Sequence, residues 1–296
     1  MSALPISSST DAPIKAATTV LGLREMQLSG RPIVMVTAYD HPSAEIADAA
    51  GVDVILVGDS AAMVVLGRES TVSITMDEML MLAAAVRRGA SRALIVGDMP
   101  FGSYEASDQI AIANAQRFVK EAGCDAVKLE GGGTSAARAR AIVDSGIPVM
   151  GHIGLTPQTA TALGGYRAQG RTAEAARSVI ADAKRLEEAG CFSVVIECVP
   201  AAVTELITDA IDIPTIGIGA GPSTSGQVLV YHDLLGLRSG KNAKFVRTYA
   251  DLRGAAIEAV SAYSNDVRSG SYPGPEHMYS IEPGELSDLQ RLPASD

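Results

Sequence analysis

Tryptophan is absent from the 296-residue chain, and aromatic residues make up only 4% of it. A core for a chain of this length must therefore be aliphatic, built from Ala, Val, Ile, Leu and Met. Basic residues are also scarce: 24 Lys and Arg face 34 Asp and Glu, for a formal net charge of −10. No basic arm, Lys/Arg-rich run or basic face with interleaved aromatics is present, which argues against nucleic acid or an anionic membrane surface as partner. The three cysteines, Cys124, Cys191 and Cys198, are an odd number without metal-ligand spacing. Reduced thiols in a cytoplasmic compartment fit that pattern. The opening "MSALPISSSTDAPIKAATTV" lacks the basic and apolar regions of a signal peptide and is too polar to anchor in a bilayer. Residues 1–17 read as a loose arm.

Apolar residues, in contrast, are plentiful at 47%, with a mean hydropathy of +0.19. The length allows two domains, but one α/β barrel of roughly 250 residues also accommodates it. Four stretches share one grammar: "ADAAGVDVILV" (47–57), "KEAGCDAVKLE" (120–130), "VDSGIPVMGHI" (143–153) and "EEAGCFSVVIE" (187–197). In each, a helical pattern stops at Gly and an apolar, strand-like run follows. Glycine ends helices because it takes the left-handed conformation without a Cβ clash. Helices are predicted over 107–123 and 172–190 from three- and four-residue apolar spacing. Another is predicted after Thr75, where Thr75 and Glu78 form a capping box. Further strands are predicted at 33–38, 93–98, 215–220 and 228–233. Eight parallel strands alternating with helices read as an α/β fold, the (β/α)8 TIM barrel. A doubly wound open sheet is the alternative, but "TAYDHPS" after the first strand is no Gly-rich nucleotide turn.

In such a barrel, functional groups sit at the C-terminal ends of the strands. "VILVGDS" ends in Asp59 and Ser60, "LIVGD" in Asp98, "VKLE" in Glu130, "VMGH" in His152 and "VVIE" in Glu197. Any one strand-end Asp ordinarily serves as a turn former or helix cap, and a lone His as a hydrogen-bonded core residue. Four acids in the same structural slot are another matter, because they repel strongly in a low-dielectric cleft. Something positive has to sit among them. Strand parity points Lys128 and Glu130 into the barrel, with Val127 and Leu129 toward the helices. The other candidate is a metal ion: Asp59, Asp98 and Glu130 are hard oxygen ligands that suit Mg²⁺. "GIGAG" (217–221) is not a full dinucleotide fingerprint and reads as a close turn or anion site at the mouth.

The motifs "VTAYDHPSA", "LVGDSAAMVVLG", "AVRRGA", "DMPFGSY", "VKLEGG", "GHIGLTPQ", "GGYRAQGR", "ECVP", "IGIGAG" and "YPGPEH" occur in this order between about residues 18 and 279. Together they closely resemble the ketopantoate hydroxymethyltransferase family. The resemblance implies one (β/α)8 catalytic domain over 18–279, of the phosphoenolpyruvate/pyruvate superfamily, followed by a polar tail over 280–296. It implies a Mg²⁺-dependent transfer of a one-carbon unit from 5,10-methylenetetrahydrofolate to 3-methyl-2-oxobutanoate, the first step of pantothenate synthesis. Carried over by position, Asp59, Asp98 and Glu130 become metal-site residues and Glu197 the proton acceptor. Asp59, Ser60, Asp98, Lys128 and His152 become the lining of the 2-oxo acid site. His152 is also the rival base, and Lys128 has a structural role open to it as partner of the acids. A cytoplasmic homo-oligomer, a decamer of two pentameric rings, is implied as well. One departure is Ser225-Gly226-Gln227, where the family commonly reads Asp-Gly-Gln. Two other readings compete: a Mg²⁺-dependent lyase of the same superfamily, and a non-catalytic metabolite-binding barrel. "LEGGGTS" lacks the catalytic Cys of the isocitrate-lyase branch, and the presence of Lys128 and Glu197 argues against loss of activity.

Overall fold

The computed structural model describes residues 17–240 and 242–291. The arm expected over 1–17 lies outside the described residues except for Ala17, as does the end of the tail from 292. The strands are β1 (Ile33–Thr37), β2 (Val54–Val57), β3 (Leu94–Asp98), β4 (Ala126–Lys128), β5 (Val149–Gly154), β6 (Ser193–Glu197), β7 (Thr215–Ile218) and β8 (Gly226–Leu229). They pair in sequence order, all parallel, and β8 closes on β1. This is the expected (β/α)8 barrel. The four glycines of the helix–Gly–strand grammar, Gly51, Gly123, Gly146 and Gly190, all have φ between 72° and 92°, the left-handed region that the grammar requires.

Alternation along each strand divides the core in two. Outward residues such as Ile55, Val57, Ile95, Val127, Leu129, Val194 and Ile196 pack under the surrounding helices. Inward residues form a separate cluster: Ile33 and Met35 of β1, Val54 and Leu56 around β2, Leu94 and Val96, Ala126, Met150, Val195, Ile216 and Val228. The helix Val20–Leu28 adds Leu23 and Met26 to this inner cluster and closes the base of the barrel. Thr19 caps that helix by accepting from the Gly22 amide. The helix Met76–Gly89 starts at the expected capping box, with Thr75 and Glu78 bonded reciprocally.

Two features differ from the sequence reading. The last strand runs over 226–229 rather than 228–233. Gly226 and Gln227 already pair with Ile33 and Val34, and the Tyr231 amide donates to Thr37 Oγ1, which turns the chain into a short helix, Tyr231–Leu234. The other difference is that no helix separates β7 from β8. The outer side of that wall is left as an open groove along Pro32, Val34, Gly221 and Gln227. The long helix Leu252–Ser269 has no buried residue, and a later helix, Pro283–Arg291, lies exposed beyond it. Among the described residues, no helix is long and apolar enough to cross a membrane.

Candidate active site

The inward row of the barrel changes character toward the mouth. Two residues past Val96 stands Asp98; two past Ala126 stands Lys128, then Glu130; two past Met150 stands His152; two past Val195 stands Glu197. All six predicted acidic and basic side chains, counting Asp59 just beyond β2, line one cavity of about 180 Å³.

They make a chain of contacts. Lys128 Nζ lies 2.6 Å from Asp98 Oδ1 and 3.6 Å from Glu130 Oε1. The Asp59 amide donates to the other Asp98 oxygen at 3.1 Å. His152 bridges the next two acids: Nδ1 is 3.3 Å from Glu130 Oε1 and Nε2 is 3.2 Å from Glu197 Oε2. Neither imidazole N–H is aligned well enough to make a hydrogen bond, so these are charge contacts on a buried ring. Asp98, Lys128, Glu130 and His152 are almost fully buried, whereas the Glu197 side chain keeps 17% exposure at the open face. Ser60 Oγ shares a 2.9 Å hydrogen bond with the Tyr39 hydroxyl.

Burial and neighbours set the protonation states. Burial raises the Asp59 carboxyl well above its usual range, and the nearby Asp98 and Glu130 raise it further. Asp98 is raised as well, chiefly by burial, with Lys128 opposing. Burial acts against the charged Lys128, but Asp98, Glu130 and Asp59 outweigh it and hold the ammonium protonated. Glu130 is the exception among the buried acids. Burial raises it, yet Lys128 and His152 bring it below its ordinary value. Burial and Lys128 depress His152, while Glu130 and Glu197 lift it to a net value of about 9. His152 is thus an imidazolium at neutral pH.

Two residues outside the predicted set brace this cluster. Gln158, in the turn Pro157–Thr159 after β5, donates its side-chain amide to Asp59 Oδ2 and to the Met99 carbonyl, each at 3.0 Å. Its backbone N–H donates to Glu130 Oε2 at 3.0 Å. Tyr104 then donates its hydroxyl to Gln158 Oε1 at 2.6 Å. Both residues lie inside the quoted motifs, but on loops, where no periodicity marks an inward side chain.

The seat of Glu197 depends on the backbone of the neighbouring strand. Gly154 pairs with Glu197 in the β5–β6 ladder, and Leu155 donates its amide to the Glu197 carbonyl at 2.8 Å. Gly154 has φ 88°, and a Cβ there would meet the Glu197 carbonyl oxygen at 2.2 Å. The next residue, Cys198, takes φ 50°, a conformation that costs a non-glycine residue about 1–2 kcal/mol. Its thiol is raised to about 11, first by burial and then by Glu197, which makes it a packing group and not a thiolate nucleophile.

The donor set also bears on a metal. Among the described residues, no three His, Cys, Asp or Glu side chains already converge as a finished cage. The charges nevertheless fit a divalent cation. The carboxylates of Asp59, Asp98, Glu130 and Glu197 face one ammonium and one imidazolium, which leaves two negative charges over when all are ionised. Hard oxygen donors and a raised Asp59, which a nearby cation would bring back down, suit Mg²⁺ in kind.

The ketopantoate hydroxymethyltransferase family model matches residues 17–275, which span every strand of the barrel. The chain belongs to that family. It is accordingly an enzyme, and ketopantoate formation is the activity its relatives support. It is 54% identical over 254 residues to a 3-methyl-2-oxobutanoate hydroxymethyltransferase of Nitratidesulfovibrio vulgaris, covering 86% of this chain and 83% of that one. A relative of the same name from Carboxydothermus hydrogenoformans is 52% identical over 271 residues, 92% of this chain and 98% of its own. Among solved structures, a phosphonopyruvate hydrolase superposes with a TM-score of 0.59 at 14% identity, over 92% of this chain and 95% of the other. At that identity the likeness is one of fold.

Proposed function

We propose that this family member joins the methylene carbon of 5,10-methylenetetrahydrofolate to C3 of 3-methyl-2-oxobutanoate, giving 2-dehydropantoate, with Mg²⁺ as its metal. Asp59, Asp98 and Glu130 would hold Mg²⁺, which when bound supplies Lewis acidity to the oxygens of the 2-oxo acid. Glu197 takes the proton from C3, and the electron pair moves into the enolate. The methylene carbon exchanges its two bonds to the folate nitrogens for one to C3 and one to a water oxygen, and those two nitrogens take up the proton removed from C3 and one proton of the water. Lys128, whose ammonium is fastened to Asp98, and the Ser60 hydroxyl bind the oxygens of the 2-oxo acid.

The observation that carries this reading is the division of labour among the acids. Asp59, Asp98 and Glu130 are braced by Gln158, Lys128 and His152, while Glu197 alone stands partly open on the cavity side. Both nitrogens of His152 face carboxylates, Nδ1 toward Glu130 and Nε2 toward Glu197, so neither is turned to the open cavity. That geometry favours Glu197 over His152, and it makes His152 the group that aims Glu197.

Exchange of the C3 hydrogen into deuterated water, followed by NMR with Mg²⁺ present and no folate, tests the assignment. Glu197→Gln is expected to slow exchange by about 10²–10⁴-fold, with Mg²⁺ and substrate still bound. Wild-type exchange in Glu197→Gln together with none in His152→Gln would reverse the two roles.

The same reading makes the protein a cytoplasmic homo-oligomer, with ten copies as the family resemblance implies. In support, the helix Leu252–Ser269 presents Val260, Tyr263 and Val267 at three- and four-residue spacing, each about half exposed or more. A second copy of the chain is the natural cover for such a face.

A further inference from the structure

The cavity has an upper tier that the acid cluster does not use. Met63 and Val64, in the short helix Ala61–Val64 after β2, line it at the mouth, as do Tyr166, beyond β5, and Phe245 and Val246, beyond β8, from loops. They are apolar or aromatic, and they stand over a floor of acids. Against the outside of the same wall lies a groove of about 580 Å³, lined among others by Arg171, Lys244, Gly219 and Ala168. Phe245 borders both spaces and separates them.

The same two chain segments build both spaces. The loop after β5 sends Tyr166 into the cavity and Arg171 into the groove; the segment after β8 sends Phe245 and Val246 into the cavity and Lys244 into the groove. Cations are sorted by position. Inside the cavity, Lys128 is taken up by Asp98, His152 by Glu130 and Glu197, and Arg238 by Asp233 at 3.2 Å. Arg171 and Lys244 are exposed, and neither is in an ion pair with another described residue. A molecule with a flat ring at one end and carboxylates at the other meets a matching sequence here. Its ring fits the apolar tier, and its carboxylates are repelled by the acidic floor and attracted to the groove beyond Phe245.

We infer that the one-carbon donor lies across this divide, with its pterin between Tyr166 and Phe245 and its glutamate carboxylates in the outer groove against Arg171 and Lys244. The inference rests on the proposed use of a folate donor and assigns that donor its residues. It also gives the groove a selective function. Each further glutamate on the tail adds an anion within reach of the same two cations, so donors with longer tails bind better. Because the contacts are solvent-exposed ion pairs, the advantage weakens with salt.

The test compares methylenetetrahydrofolate carrying one glutamate with the form carrying several, on the wild type and on Arg171→Gln/Lys244→Gln. In the double variant, folate-independent C3 exchange is expected to stay at the wild-type rate, because neither residue touches the 2-oxo acid. The KM for the polyglutamyl donor is expected to rise about tenfold with kcat nearly unchanged. The polyglutamate advantage and the salt dependence of KM disappear together. A double variant that keeps the wild-type KM, tail preference and salt response overturns the groove assignment while leaving the donor assignment intact. A wild-type protein that exchanges the C3 hydrogen yet makes no product from either folate overturns the donor assignment, and the groove falls with it.

Discussion

The two ends of the barrel interior are built by the same strands, two residues apart, yet they follow opposite rules. At the base, Leu23 and Met26 of the closing helix meet Ile33, Val54, Leu94 and Ile216 in a layer with no polar partner to satisfy. At the mouth, Asp98, Lys128, Glu130, His152 and Glu197 occupy the next positions of β3 to β6 and their loops, a run of ionisable side chains in contact with one another. The base is tolerant of chemistry and sensitive to volume. The mouth is the reverse: its worth lies in which atoms carry protons. Stability and activity are thus assigned to different layers of one core, as expected where a buried charged layer carries out catalysis and an apolar layer holds the frame.

The largest effect that separates the layers should come from the base. Leu23→Ala removes a fully buried side chain from the closing helix and is expected to cost about 3 kcal/mol, within the usual range of 2–5 for such cavities. Urea denaturation measures it, and the C3 exchange rate of the protein that remains folded should stay within about twofold of wild type. A variant that unfolds at the wild-type urea concentration but loses exchange would break the comparison, since the base would then be steering the mouth.

A smaller effect of opposite kind is expected from Gln158→Leu. It removes the amide that fixes Asp59 and leaves the Tyr104 hydroxyl and the Met99 carbonyl without their partner. Mg²⁺ affinity, read by calorimetry, should weaken about 10–100-fold, as for other groups that orient a ligand from behind. The urea midpoint should move less than in Leu23→Ala. Undiminished affinity would mean that Asp59 holds its place unaided.

The smallest effect lies outside the barrel and sharpens the contrast between buried and rim charge. Glu78 is drawn down to about 2, first by the Arg68 side chain and then by the Thr75 amide it caps. A depressed carboxyl stabilises the fold above its ordinary value near 4.5 and ceases to as pH falls toward 2. The difference in Tm between wild type and Glu78→Gln should therefore be greatest at neutral pH and close across that interval. Exchange at pH 7 should be untouched. A Tm difference independent of pH would show that the pair contributes by packing alone.

Much of the mouth could be read from the sequence because strand parity and short apolar runs fix where a side chain points. Lys128 and Glu130 alternate with Val127 and Leu129, and the structure keeps that alternation, two in the cavity and two under the helices. The alternating parity fails on loops. Gln158 and Tyr104 reach the cluster from turns whose path depends on tertiary contacts, and neither belongs to any periodic run. The eighth strand shows another limit. "VLVYHD" is apolar enough to be a strand, but its length is decided by what β1 offers: pairing with Ile33 to Val36, then capture of the Tyr231 amide by Thr37. The bare seventh crossover was marked in the spacing, since the seven residues between the runs 215–220 and 228–233 leave no room for a helix.

The contact between Gly154 and the Glu197 carbonyl has a consequence for heredity. Codon 154 encodes a residue that does not line the cavity, yet every missense change there adds at least one carbon to a space 2.2 Å from the backbone of the proposed base. Even alanine, the mildest replacement, would have to push β6 aside and carry the Glu197 carboxylate with it. Alleles altered at this codon should therefore segregate with the null alleles of residue 197, and a genetic screen scored on growth alone would group two positions 43 residues apart as one functional locus.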